Sequence, residues 1–340
     1  MTTASSNRFL NELRRGVTRC VPGTTLLIGL SGGADSVALF RGLREMQSEF
    51  HFSLHAAHLN HQLRGEASDA DARWVQQLCQ STCVPVTMGT VVLNLPSGAG
   101  LEAAARQARH RFLDETATAV GADSIATAHT ADDQAETVLH HVFRGTGMSG
   151  LRGIPAVRQS ERGFRLLRPM LSIRRNLIEA YLAEIGQEYR TDASNADTTL
   201  TRNWLRHHLL PQLRQQFGEQ VDGSLLRLSE QAAEIEQSLA ELAERLLDQA
   251  VLDAQPNAVR LNTRTLADQP IHLVREAFCV LWRRQQWPRQ AMGYAEWNRL
   301  AETGRTGGNA NLPGGIRACQ KTAGLLVIEK TLSQEIDFPG

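Results

Sequence analysis

The stretch TLLIGLSGGADSVALF, Thr25 to Phe40, decides the fold. Its first half is a short apolar run bounded by Pro-Gly and Gly, which predicts a strand buried on both faces over Thr24–Leu30. A helix is expected over Ser36–Gln47. Between them, SGGADS sits where backbone N–H groups and a helix N-terminus converge on an anion. Gly32 and Gly33 carry no Cβ, so the chain can approach a phosphate closely and take positive φ. Ser31 and Ser36 supply hydroxyl donors, with Ala34 completing the turn. Asp35 would repel a phosphate alone, so its natural role is to hold a Mg²⁺ that bridges to the phosphates. The simpler reading is a Gly-Gly turn with Ser and Asp as helix caps, yet a cap needs only one such residue. The stretch is neither a Walker A loop, lacking Gly-Lys-Ser/Thr, nor a G-x-G-x-x-G turn.

Outward from this turn, strands and helices alternate. Strands are expected at His51–Leu59, Pro85–Val92 and Ser124–His129, and helices at Asp69–Cys79, Leu101–Val120 and Thr130–Phe143. Such alternation means βαβ units, a parallel sheet and right-handed crossovers. Near Phe217 the character changes. Leu225, Leu228, Ala232, Ile235, Leu239, Leu242 and Leu246 form a heptad stripe on an otherwise acidic helix. Either the stripe packs on its own chain, or it is the seam of a homodimer. After Pro256 come a strand at Ala258–Leu261, a helix at Ile271–Gln286 and strands near Asn309–Leu312 and Leu325–Glu329, the last two separated by the turn LPGG. The expectation is an α/β chain: a parallel-sheet, Rossmann-like domain over 1–216, a linker helix over 217–255 and a smaller α+β domain over 256–340.

Composition narrows the class. No run approaches the roughly 20 apolar residues of a membrane span, and the N-terminus reads as an amphipathic helix with Phe9, Leu10 and Leu13 on one side rather than a signal peptide. Cytoplasmic residence is expected. Five cysteines at irregular positions (20, 79, 83, 279, 319) suit buried or half-buried thiols in a reducing compartment better than a metal site. Net charge is zero, but its distribution is uneven: residues 151–216 hold eleven arginines against six carboxylates, and 217–255 hold two against nine. Lys321 and Lys330 are the only lysines. Positive charge is therefore almost all guanidinium, the better group for bidentate phosphate contacts.

A second chemical cluster lies at Asp132, Asp133 and Glu136, on the first turn of a helix that follows a strand. Thr130 with Asp133 makes a capping box, for which one acid would suffice; three acids with His129 just before them suggest a site. Arg106 and Arg109 stand at i and i+3 of a helix, able to neutralise developing charge or meet phosphate. His140 and His141 lack metal spacing and read as structural. With few aromatics, base stacking would rest on Trp204, Trp282, Trp287 or Trp297.

SGGADS resembles the SGGxDS loop of the N-type ATP pyrophosphatases, the PP-loop family. Further stretches resemble one branch, the tRNA(Ile)-lysidine synthetases: HLNHQLRGEASDAD (His58–Asp71), GLEAAARQARHRF (Gly100–Phe112, with His110 where tyrosine is usual), ATAHTADDQAET (Ala126–Thr137), RGTGMSGLRGI, LLRPML and the run from Asp192 to Pro211. The C-terminal region resembles that branch's small substrate-binding domain, without counterpart to the extra C-terminal domain of longer members. The resemblance implies a ligase: ATP, with Mg²⁺, adenylates C2 of the wobble cytidine of a CAU-anticodon isoleucine tRNA, and free L-lysine displaces AMP. It implies that Ser31 to Ser36 and His129 bind ATP and pyrophosphate, that Asp35, Asp132, Asp133, Glu136 and Arg109 serve catalysis, and that Arg106, Arg168, Arg174 and Arg202 meet substrate tRNA. Two other readings stay open: a tRNA thiolase of the same loop family, against which the scattered cysteines speak, and a non-catalytic nucleotide- or tRNA-binding module.

Overall fold

The computed structural model describes residues 4–18, 24–62, 65–92, 99–191 and 201–330. The chain divides into two compact units, Met1–Ala232 and Ala233–Gly340.

In the first unit the alternation read from the sequence forms β1 (Thr25–Gly29), α2 (Ala34–Phe50), β2 (Ser53–Asn60), α3 (Glu66–Ser81), β3 (Val86–Thr90), α4 (Ala99–Val120), β4 (Ser124–Ala126) and α5 (Ala131–Phe143), preceded by α1 (Ala4–Val17). Strand β4 is shorter than expected: the chain leaves the sheet at Thr127 and turns into the α5 cap. A short helix α6 (Met148–Leu151) leads to β5 (Val157–Gln159) and β6 (Arg165–Leu167), an antiparallel pair that a βαβ pattern does not announce. The sheet order is β3-β2-β1-β4-β6-β5, parallel except at β5. Because β1 leads outward to β2 while β4 lies on its other side, the strand order reverses between β1 and β4. Ligands of open α/β sheets bind at that switch, beyond the strands' carboxyl ends. SGGADS follows β1 and the acidic turn follows β4, so the two motifs flank the same crevice.

Burial explains the strand. Leu26 and Ile28 join the core on one sheet face and Leu27 joins Ile125 and Leu113 on the other, leaving β1 apolar throughout. On the first face α1 packs Phe9 against Tyr181 of α7 (Arg175–Glu184), rings stacked at 4.1 Å, with Leu10, Leu13 and Val17 also buried. After α7 come α8 (Thr201–Trp204), a π-helical turn at Leu205–Leu209, α9 (Leu210–Phe217) and the long helix α10 (Gln220–Ala250), within which the division between the units falls.

The heptad stripe of α10 splits. Ala232 and Leu246 are buried, whereas Leu228, Ile235 and Leu242, seven residues apart, are exposed. The helix ends at Ala250, and Val251–Gln255, expected within the linker, form strand β7 instead. In the second unit β7, β8 (Ala258–Asn262), β11 (Leu325–Lys330), β10 (Ile316–Thr322) and β9 (Asn309–Leu312) make an antiparallel sheet in that order. LPGG therefore closes a β9–β10 hairpin, and β10 is a strand beyond those expected from the sequence. Helices α11 (Thr263–Ala267), α12 (Ile271–Arg284) and α13 (Tyr294–Thr306) complete the unit. Trp282 is fully buried, edge-on to Trp287 and Trp297 at 4.9 and 5.3 Å. Those three tryptophans are core, which leaves Trp204, nearly half exposed, of the four stacking candidates. No helix among the described residues is long and apolar enough to cross a membrane.

Candidate active site

The turn after β1 is built as an anion cradle. Gly32 takes φ +92°, and an added Cβ there would come within 3.2 Å of the Val75 side chain. Glycine is the residue that tolerates both conditions. Gly33 does not need positive φ; it is extended at −72° and serves as the N-cap of α2 without any side-chain cap bond. The capping alternative for Ser and Asp is therefore not what forms. The Ser36 hydroxyl turns inward, accepting from the Ser31 and Gly32 N–H groups at 3.2 and 3.1 Å and donating to the Gly33 carbonyl at 3.0 Å. This bracing fixes the loop and leaves the first-turn amides of α2, with the helix dipole behind them, facing outward. Arg190 N–H donates to the Gly32 carbonyl at 2.9 Å from the other side, its guanidinium lying over Trp74 and paired with Asp71. His58 at the end of β2 bonds the Leu30 carbonyl through Nδ1 at 2.8 Å.

Asp35 stands at the start of α2. Its Oδ2 meets Arg175 Nη1 at 3.5 Å, while Oδ1 is buried with no hydrogen-bond partner among the described residues. Burial, against the counter-pull of Arg175, pushes its carboxyl up to about 6; the charges of Asp133 and Asp132 push the same way. A buried, uncompensated carboxylate oxygen beside a phosphate cradle is what a bridging cation would neutralise, so the donor set fits Mg²⁺.

The expected capping box forms on α5: Asp133 N–H donates to Thr130 Oγ1 at 3.3 Å and Thr130 N–H to Asp133 Oδ2 at 2.9 Å. The remaining carboxylate oxygens of the cluster are met by arginines from far along the chain. Arg206 in the π turn grips fully buried Glu136 with two nitrogens, at 2.5 and 3.1 Å, and reaches Asp133 Oδ1 at 3.0 Å. Burial works against the Arg206 charge, but Glu136 and Asp133 outweigh it and raise its pKa. Asp132 accepts from the Arg175 N–H at 2.9 Å, at the start of α7, and lies 3.5 Å from Arg214 of α9. Arg214 and Arg174 both pair with Asp222, which burial opposes as an anion but the two guanidiniums hold below its usual pKa. Thus loop, acidic turn and guanidiniums form one cluster around Asp35.

Other expected residues fall elsewhere. His129, just before the cap, lies 3.1 Å from Thr127 Oγ1 through Nδ1. Arg106 and Arg109 are on an exposed face of α4; Arg109 acts on half-buried His61, which burial first and then this charge hold neutral, at about 4. Arg106 and His110 line a separate cavity of about 300 Å³ with Asp114 and Arg158. Arg168 is 3% exposed; its Nη1 donates to the Pro155 carbonyl, while its Nε is buried with no hydrogen-bond partner among the described residues. Arg174 is committed to Asp222. The Arg202 side chain lies outside the described residues, as does most of the Asp192–Thr201 segment. Gln134, within the acidic-turn motif, is structural. It bonds the Arg152 carbonyl, the Ile154 N–H and Ser229, holding the loop after α6. Arg175, Arg214 and Asp222 stand in none of the motifs quoted from the sequence, and Arg206, though inside the Asp192–Pro211 run, is not singled out there; the local arginine excess over 151–216 is the one further trace of the three arginines.

The PP-loop domain family matches residues 2–213. The chain is 33% identical to the tRNA(Ile)-lysidine synthase of Rhodopirellula baltica over 88% of its own length and 86% of that protein. It is 35% identical to the tRNA(Ile)-lysidine synthase of Symbiobacterium thermophilum over 91% and 67% of the two chains. With that of Geobacter sulfurreducens it shares 40% identity over 76% of its length, spanning about half (54%) of the relative. Among solved structures, the U34-tRNA thiolase NcsA from Methanococcus maripaludis with its 4Fe-4S cluster superposes with a TM-score of 0.56 over 68% of this chain and 79% of that one, at 15% identity, a likeness of fold alone. With the phosphate cradle and the acidic turn facing one crevice and relatives matching across nearly the whole length, the chain belongs to the tRNA(Ile)-lysidine synthase family of PP-loop proteins.

Proposed function

We infer that this chain is an ATP-dependent ligase that joins L-lysine to the wobble cytidine of a CAU-anticodon isoleucine tRNA. The observation that carries the reading is the convergence of the SGGADS cradle and the Asp132–Glu136 turn at one switch point. One binds the leaving pyrophosphate; the other draws an amine to the activated base. The cytidine C2 oxygen attacks the α-phosphorus of ATP and pyrophosphate leaves. The lysine Nε then attacks C2, AMP departs with that oxygen, and a proton is released. Lysine ammonium titrates at about 10.4 in water, so the attack needs a carboxylate field and a proton acceptor.

This chain's residues supply those parts. The outward first-turn amides of α2 receive pyrophosphate oxygens, and Ser31 adds an exposed hydroxyl. Asp35 would hold Mg²⁺, which neutralises phosphate charge when bound. Asp132, Asp133 and Glu136 hold negative charge at the crevice, balanced by Arg175, Arg206 and Arg214. As phosphoryl charge develops, a guanidinium shifts toward it and the carboxylate it leaves attracts the incoming ammonium. His129, at the mouth of the same turn, is assigned to the nucleotide. Arg109 and Arg106, on α4, are assigned to RNA phosphate rather than to the reacting atoms. The unburied stripe at Leu228, Ile235 and Leu242 is assigned to pairing with a second copy, which sedimentation would read as a dimer. The protein would act in the cytoplasm, where its tRNA is.

The deciding experiment supplies ATP, labelled lysine and matched isoleucine and methionine tRNAs carrying CAU. Lysine should enter only the isoleucine tRNA, with AMP and pyrophosphate formed; no incorporation into a competent tRNA would end the reading. The thiolase alternative is disfavoured by its cysteines. Cys79 and Cys279 are pushed up to about 12 by burial, far from the reactive thiolates that sulfur delivery uses.

A further inference from the structure

The crevice does not account for an apolar, basic surface at the far end of α5. There Val142, Phe143 and Met148 are exposed, Phe143 by 67%. His140, Phe143, Arg144 and Leu205 line a cavity of about 310 Å³. Leu205 opens the π turn, and the preceding residue is Trp204, 46% exposed, its ring 6.2 Å from that of His208. A π turn in an otherwise helical segment often marks a functional site. The cavity's own charged group is Arg144, and no carboxylate among the described residues lines it; Arg206 and Arg214, nearby in sequence, are paired with the carboxylates of the crevice. Arg144 pairs with no carboxylate among the described residues.

Position links this surface to the chemistry. Leu205 adjoins Arg206, which grips Glu136. Phe143 lies seven residues beyond Glu136 on α5, about 10 Å along the helix axis. An exposed aromatic face with guanidinium beside it and no carboxylate nearby is chemistry that takes an unpaired nucleobase and its phosphate. We propose that the cavity bounded by His140, Phe143, Arg144 and Leu205 seats the unpaired base next to the wobble cytidine, stacked on Phe143, with Arg144 on the adjoining phosphate. Seating that neighbour splays the loop and presents the wobble base to the crevice. This rests on the ligase reading.

The test uses the full-length protein and the anticodon stem–loop of the CAU isoleucine tRNA, with 2-aminopurine placed in turn on either side of the wobble cytidine. Stacking on an aromatic ring quenches this base. Wild type should quench one of the two positions; Phe143→Ala should abolish that quench and weaken stem–loop binding about tenfold, while Phe143→Tyr preserves both. Binding of a fully paired RNA of equal length should be the same in all three. Since Phe143 is exposed, the Ala variant should keep its melting temperature. Unchanged affinity and quench in Phe143→Ala, with wild type still joining lysine to the tRNA, would overturn the pocket and leave the ligase standing. Equal weakening toward paired RNA would also overturn it. Wild type that fails to join lysine at all would remove the ligase reading itself.

Discussion

Replacing Asp35 by Asn should stabilise the protein while ending ATP turnover. The carboxyl is raised from 3.8 to about 6. Holding it ionised at neutral pH therefore costs about 3 kcal/mol, taking about 1.4 kcal/mol for each unit of pKa. About a quarter of the side chain, 26%, is still exposed. Solvent there trims the recoverable part to roughly 1 to about 2 kcal/mol. Asn keeps an oxygen for Arg175 and has no charge to desolvate. A carboxyl whose folded pKa exceeds its unfolded one stabilises the fold fully below the unfolded value, and that contribution is lost as pH rises through about 6. The advantage of Asp35→Asn should therefore be full at pH 8, about half as large at pH 5 and gone only below about pH 4. For a unit of this size it corresponds to a melting-temperature gain of about 2–8 °C. Thermal unfolding of both proteins without nucleotide or divalent metal, at pH 8 and pH 5, reads it directly. An advantage of equal size at both pH values, or none at pH 8, would refute the claim that Asp35 is held in strain for a cation. Retained ATP turnover in the variant would refute its role in the reaction.

Other outcomes follow from the same contacts. Arg206→Ala strands fully buried Glu136 and should cost about 3–5 kcal/mol in urea unfolding; Arg206→Met with Glu136→Gln should recover most of that loss without recovering activity. Gly32 sits at φ +92°. Gly32→Ala forces a side chain into that conformation, costing about 1–2 kcal/mol, and should weaken ATP binding in calorimetry well beyond that destabilisation. Trp282→Ala should lose about 3–5 kcal/mol as a core truncation, whereas Trp204→Ala, at the surface, should shift stability by no more than about 0.5 kcal/mol.

The first unit is legible because its signals are local. The β1 run, the SGGADS turn and the Thr130 capping box each lie within a few residues, and each forms where expected. The β5–β6 pair and β10 are not legible, for different reasons. Strands of three residues carry too little periodicity to read, and β10, IRACQKT, has polar residues on one face that pass for loop. Of the site, the cradle and the acids can be read, but not their partners. Arg206 reaches Glu136 across 70 positions and Arg175 reaches Asp35 across 140. No spacing rule connects residues so far apart; only the folded sheet does.

The arginine excess over 151–216 invites the view that this segment is an RNA-binding face, and the contacts argue for a different division of labour. Arg174, Arg175, Arg206 and Arg214 are spent on Asp222, Asp35, Asp132, Asp133 and Glu136. Arg190 pairs with Asp71, Arg162 with Glu115, and Arg168 is buried. Most of the excess is thus countercharge for an acidic centre that could not otherwise stay ionised in a crevice. The arrangement also explains why a net charge of zero is compatible with an RNA substrate. A carboxylate cluster open to solvent would repel both ATP and the tRNA backbone; screened by guanidiniums that can turn to phosphate, it does so only weakly until the adenylate forms. RNA contact then falls to surfaces away from that centre: Arg106 and Arg109 on α4, the end of α5 and the π turn, where the aromatics are also exposed. The salt dependence of binding should accordingly be shallow for a tRNA ligand: few phosphates neutralised, with a slope of about −2 to −4 in log–log form at roughly −0.9 per contact. A slope near −8 would mean that the paired arginines let go of their carboxylates to bind RNA, and the screening argument would fail.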